Sequence, residues 1–108
     1  MTEPYFEIHE RQEGGGVRLQ LTGELDMASE PFLRNRLRQL RAEKRFVRLD
    51  LSSLEFMDAS GIRLLISAFD QADRDRWEFE VDPDLSPHVD RLFKVASLEG
   101  VSVGQRRG

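Results

Sequence analysis

The sequence predicts an α/β fold: a mostly parallel sheet of roughly four to five strands, opened by an N-terminal hairpin, with helices mainly on one face. Three observations carry this expectation. Apolar and polar residues alternate in four short runs, the mark of strands with one buried and one wet face. Three other stretches repeat apolar residues three and four positions apart, the helical period. After the first two strands, strands and helices alternate in the order β-β-α-β-α-β-α, which implies parallel pairing through right-handed crossovers.

Taken in order, Phe6 and Ile8 alternate with Glu7 and His9, and Val17, Leu19 and Leu21 alternate with Arg18 and Gln20. Between them Gln12-Glu13-Gly14-Gly15-Gly16 is a turn signal, so these two strands form a hairpin. Gly14-Gly15-Gly16 lacks the Gly-Lys-Ser/Thr ending of a phosphate loop. Leu33, Leu37 and Leu40 mark the first helix, with Ser29 as N-cap ahead of Pro31. Val47, Leu49 and Leu51 alternate with Arg48 and Asp50 in the third strand, and Ile62, Leu65, Ile66 and Phe69 mark the second helix. Trp77, Phe79 and Val81 alternate with Glu78 and Glu80, which places Trp77 in the core. Val89, Leu92, Phe93 and Ala96 mark the third helix, with Ser86 as N-cap and Pro87 at the first helical position, where its missing N–H is harmless. Val101 to Val103 has the composition of a last short strand.

A parallel sheet covered on both faces would show unbroken apolar strands, and these strands do not. The core is therefore expected between one sheet face and the helices: Val17, Leu19, Leu21, Val47, Leu49, Leu51 and Phe79 against Leu37, Leu65, Phe69, Leu92 and Phe93. Arg18, Arg48, Asp50, Glu78 and Glu80 fall on the opposite, wetter face and read as cross-strand solubilising pairs.

Length and composition exclude several function classes. A chain of 108 residues reads as a single domain, with a core at about 5–103 and a disordered tail at about 104–108, and needs no metal or disulfide staple. The formal charge of −4 with mixed signs argues against nucleic-acid binding. The absence of cysteine excludes disulfides and thiolate chemistry. Met1-Thr2-Glu3-Pro4 lacks the basic and apolar regions of a signal peptide, and no apolar run approaches a membrane span, so a cytoplasmic location without membrane insertion is expected. His9 and His88 have no ligand partner at metal-binding spacing, and no metal or cofactor is expected. No nucleophile–base–acid set is visible, so the chain does not read as an enzyme.

The most informative stretch is Leu54-Glu55-Phe56-Met57-Asp58-Ala59-Ser60-Gly61-Ile62. Asp58 is placed as an N-cap, and the small residues Ala59, Ser60 and Gly61 leave the first helical turn open to an approaching partner. An uncrowded helix start after a strand is where α/β proteins place function.

Gly23-Glu24-Leu25-Asp26, Leu49-Asp50-Leu51-Ser52, Phe56-Met57-Asp58-Ala59-Ser60-Gly61 and the segment Val89 to Leu98, in this element order, resemble a STAS domain. That domain occurs in bacterial anti-sigma-factor antagonists and in sulfate-transporter tails, and the lack of membrane segments points to the free-standing antagonist type. The resemblance implies a protein that binds an anti-sigma factor of the ATPase-type serine kinase class and releases a sigma factor by partner switching. In such systems the kinase phosphorylates the Ser or Thr after the motif acid and a phosphatase, a second partner, reverses it. A phosphoryl group adds about −1.5 to −2 charges beside the carboxylate, which repels an interface fitted to a hydroxyl.

Here the acceptor position holds Ala59, which has no hydroxyl. Ser60 is the nearby substitute, rotated about 100° around the helix, and otherwise hydrogen-bonds within the first turn. The expected partner-binding residues are Asp26, Asp58, Ala59, Ser60, Gly61 and Arg63. Asp26 either touches the partner's nucleotide-binding region, as the family suggests, or caps its turn, and Arg63 either meets an acidic partner surface or is solvated. Glu24 reads as a solvated turn residue. Two alternatives stand beside the antagonist reading: an accessory subunit of a lipid-type ABC transporter, and a scaffold protein of a sensory complex. Monomer and weak dimer are both compatible with the sequence.

Overall fold

A computed structural model describes residues 5–95; the strand expected at Val101 to Val103, Ala96 of the third helical stripe and the C-terminal tail lie outside them. Strands β1 (Phe6–Glu13) and β2 (Gly16–Leu25) form the antiparallel hairpin, closed where Glu13 faces Gly16 across the Gly14-Gly15 turn. The helix α1 (Glu30–Ala42) leads to β3 (Phe46–Asp50), which lies parallel to the first half of β2, from Gly16 beside Phe46 to Gln20 beside Asp50.

A strand that the alternation did not reveal follows: β4 (Leu54–Met57), parallel to the last residues of β2. Its burial runs buried-exposed-exposed-buried, so it carries no period-2 signal. Because β1 occupies one edge of β2 as far as Gly23, β3 and β4 share the other edge in succession. The register shifts between Gly23 and Glu24, and Gly23 takes a φ of +92° with the Tyr5 carbonyl 2.2 Å from where a Cβ would sit. Only glycine fits both the conformation and the approach. After α2 (Ala59–Asp75), β5 (Phe79–Val81) adds parallel to the outer edge of β3, and α3 (Pro87–Val95) follows.

The apolar faces meet as expected. Val17, Leu19, Leu21, Val47, Leu49, Leu51, Phe79, Leu37, Leu65, Phe69 and Phe93 are buried in one cluster, with Leu92 partly buried against it. Trp77 lies just before β5, buried, its Nε1 donating to the Arg45 carbonyl at 2.7 Å. The stripe of α2 is rotated from the expected one: Leu64, Leu65, Ala68, Phe69 and Ala72 face inward, Ile62 is half-buried and Ile66 is exposed. Two expected caps differ in detail. Ser29 makes no side-chain cap bond, because its hydroxyl is committed to the preceding loop. Ser86 accepts the Asp90 N–H through its carbonyl at 2.9 Å, while its buried Oγ has no partner among the described residues.

The second sheet face is charged and paired across strands. Arg48 meets Glu80, its direct neighbour on β5, at 2.9 Å, and Arg18 Nη2 reaches Asp82 at 2.7 Å and Asp50 at 3.2 Å. Asp50 departs from the expectation of a wet residue, being 8% exposed. Burial pushes its pKa up, but hydrogen bonds from the Ser52 hydroxyl and N–H and the Arg18 charge outweigh this and hold it below the ordinary value.

Candidate functional site

Strands β2 and β4 end level with each other, Leu25 beside Met57, and each runs into an aspartate, Asp26 and Asp58. The Asp58 N–H donates to the Leu25 carbonyl at 3.1 Å, which ties the two strand ends together. Both acids thus sit at the carboxyl end of parallel strands, the edge of an α/β sheet where ligands gather.

At Asp58 the chain is extended (φ −106°, ψ −170°) before α2 begins. One carboxylate oxygen accepts the Ser60 N–H at 2.8 Å and the Gly61 N–H at 3.4 Å, satisfying donors that the first turn would otherwise leave free. Ala59 is exposed, Ser60 is half-buried, and Arg63, one turn on from Ala59, is exposed. Gly61 is buried, which corrects the expectation that it opens the turn to a partner. A Cβ there would stand 2.6 Å from Met57 Cγ and 3.0 Å from Leu25 Cδ2, so glycine serves the close packing of α2 onto the two strand ends.

The Asp26 carboxylate is turned into its own loop, accepting the N–H groups of Ala28 at 3.0 Å and Ser29 at 3.1 Å. The buried Ser29 hydroxyl accepts the Asp26 N–H at 2.9 Å and donates to the Glu24 carbonyl at 2.7 Å. This bonding gives Asp26 the capping role that the sequence left open, while its place beside Asp58 keeps it at the same surface. Glu24 is exposed. Ser60 and Arg63 line a shallow hollow of about 280 Å³ together with Glu30 and Arg34, an ion pair at 2.7 Å on α1.

Two apolar residues at this end escaped the sequence reading. Met27, directly after Asp26, is 76% exposed, and Phe32 in the first turn of α1 is 58% exposed. Neither fits the Leu33, Leu37, Leu40 stripe, and that mismatch was the available signal. Exposed large apolar side chains flanking the start of α1 suit a protein contact. His88 packs under the same end, its ring stacked on Phe56 at 5.1 Å and its Nε2 3.3 Å from the Met57 carbonyl. Among the described residues no cluster of His, Cys, Asp or Glu is arranged to hold a metal, and no helix is long and apolar enough to cross a membrane.

Residues 8–104 match the family model described as Mlab, STAS domain. The chain belongs to the STAS domain family. The motifs around Gly23, Asp50 and Asp58 had implied this membership. Among individual relatives, the anti-sigma-B factor antagonist of Bacillus subtilis (strain 168) is 24% identical over 91 residues, covering 84% of this chain and 83% of that protein. The crystal structure of an anti-sigma factor antagonist from Mycobacterium paratuberculosis superposes with a TM-score of 0.75 at 20% identity, over 88% of this chain and 80% of that one. The structure of the anti-sigma factor antagonist SpoIIAA in its unphosphorylated form gives 0.74 at 19% identity, over 88% and 84%. These superpositions establish that the STAS fold, with its mixed five-stranded sheet and N-terminal hairpin, is shared.

Proposed function

We propose that this STAS domain is an anti-sigma factor antagonist that binds an anti-sigma factor of the ATPase-type serine kinase class through the start of α2. The observation that carries the reading is the exposed Ala59 on a helix start capped by Asp58 and tied to the end of β2. Asp26, Asp58, Ala59, Ser60 and Arg63 supply the surface, with Gly61 seating the helix beneath it, and the relative named as an anti-sigma-B factor antagonist supports an anti-sigma factor as partner. Release of a sigma factor follows from competition for the same anti-sigma factor. With Ala59 at the position where the family carries its hydroxyl, a kinase has no acceptor oxygen and a phosphatase no substrate there, so the protein stays competent to bind.

Ala59→Asp tests the surface by placing a carboxylate where the family places phosphate. An interface charge left desolvated and unpaired costs about 2–5 kcal/mol, so affinity for the partner recovered by pull-down should fall at least about tenfold. Unchanged affinity in a folded variant removes this patch from the interface. The missing hydroxyl at Ala59 also favours a second reading, an accessory subunit of a lipid-type ABC transporter, for which no phosphorylation switch is needed. Recovery of a transporter ATPase in place of an anti-sigma factor in that pull-down decides for it.

A further inference from the structure

We propose that the groove between α1 and α2 is a docking site for an acidic, amphipathic segment of a partner protein. The two helices run side by side, from Glu30 and Ser60 at one end to Arg41 and Gln71 at the other. Two adjoining hollows of about 280 and 80 Å³ share Arg34, Leu64 and Ser67 and so form one groove.

Its walls carry Arg34, Arg38 and Arg41 from α1 and Arg63 from α2, and Glu30 is the one acid among the described lining residues. Ion pairs at 2.7 Å hold Arg34 to Glu30 and Arg41 to Asp75. Arg38 and Arg63 line the groove and carry no ion pair among the described residues. On a chain of formal charge −4 this is a local reversal of sign. Guanidinium groups in a row grip carboxylates through paired hydrogen bonds.

The floor is apolar. Leu37, Leu64 and Ala68 keep exposures of 4%, 8% and 4%, where Leu33, Leu40 and Leu65 beside them are at 0%. The core therefore reaches water along this line, and a small apolar side chain of a ligand would be seated there between the arginines. An apolar floor with an acid at one end is a poor nucleic-acid track, which wants an uninterrupted basic surface. The chain's own last residues include Arg106 and Arg107, whose charge mismatches the arginine walls.

The probe is a phage-displayed library of random short peptides, selected on the full chain and re-measured on two variants with wild-type circular dichroism. Arg38→Glu reverses one wall charge. Ser67→Trp fills the groove from an exposed position shared by both hollows. Ser60 and Arg63 border both this groove and the proposed antagonist surface, but Arg38 and Ser67 lie outside that surface and Ala59→Asp lies outside the groove lining, so the two sets of variants fail or stand separately. The expected result is enrichment of peptides that combine several carboxylates with one or two spaced apolar residues, whose affinity falls at least about tenfold on each variant and weakens with added salt. Selection without acidic enrichment, or binding retained by either variant, overturns the proposal. So does a concentration-dependent dimer in sedimentation that Ser67→Trp abolishes, since the groove would then belong to a second copy of the chain.

Discussion

Asp58 caps α2 and, on the proposed reading, also faces the partner, and two substitutions separate the cap from the charge. Asp58→Ala removes the oxygen that accepts Ser60 N–H at 2.8 Å and Gly61 N–H at 3.4 Å. Loss of an N-cap costs about 0.5–2 kcal/mol. The middle of that range applies here, because the second bond is long and Gly61 N–H also donates to the Asp58 carbonyl at 3.1 Å. About 1 kcal/mol lowers the melting temperature of a domain of this size by roughly 4–8 °C. Asp58→Asn keeps an acceptor oxygen and caps as well as aspartate to within about 0.5 kcal/mol, yet it carries no charge. Urea unfolding followed by the single, buried Trp77 measures both variants against the parent. The expected order is parent and Asn together, with Ala less stable. An Ala variant as stable as the parent, or an Asn variant as unstable as the Ala one, refutes the capping argument. With stability preserved in Asp58→Asn, any loss of partner affinity then reports the carboxylate's charge alone.

Three further outcomes follow from the geometry. Gly61→Ala gains up to about 1 kcal/mol of helix propensity but drives a methyl into Met57 and Leu25, and overpacking of about 1–3 kcal/mol should win, so chemical denaturation should show a net loss of stability rather than a gain. Because Asp50 has a folded pKa below its ordinary value, its stabilising contribution is present above the unfolded pKa of about 3.9 and is lost as pH falls through the folded pKa; Asp50→Asn should flatten the acid limb of a stability-versus-pH curve, and an unchanged limb contradicts the assignment. Ala59→Ser restores a hydroxyl at the helix start and should turn a poor kinase substrate into a good one, whereas stoichiometric phosphate mapped to Ser60 in the unaltered chain means that the switch moved by one residue.

What could be read from the sequence was whatever left a periodic trace. The alternation of Val17, Leu19 and Leu21 and the spacing of Leu33, Leu37 and Leu40 determined which faces met, and Asp58 announced its cap through residue type and position. β4 left no such trace, because its four residues are held by the end of β2 and by α3 rather than by a half-buried face. Asp50 was misplaced for a related reason: period-2 counting finds the side of the sheet but not the Arg18 and Ser52 groups that close over the carboxylate. At the site, Gly61 read as open space because its residue type is small, while the space is taken by Met57 from the strand end just before the helix and by Leu25 from a distant position. Met27 and Phe32 stayed hidden since apolar residues are expected inside, and only the fold shows which ones are left over.

The forked pairing of β2 has a consequence for how the molecule breathes. Flanked by β1 on one edge and by β3 and then β4 on the other, β2 cannot loosen without parting three neighbours. Its amides should therefore be among those that exchange with solvent only on global unfolding. The start of α2 is tied to that strand through the Leu25 carbonyl, so it is anchored to a strand paired along both edges. On the proposed reading, a partner arriving at Ala59 would meet a preformed surface, and little of the binding free energy would be spent on ordering it.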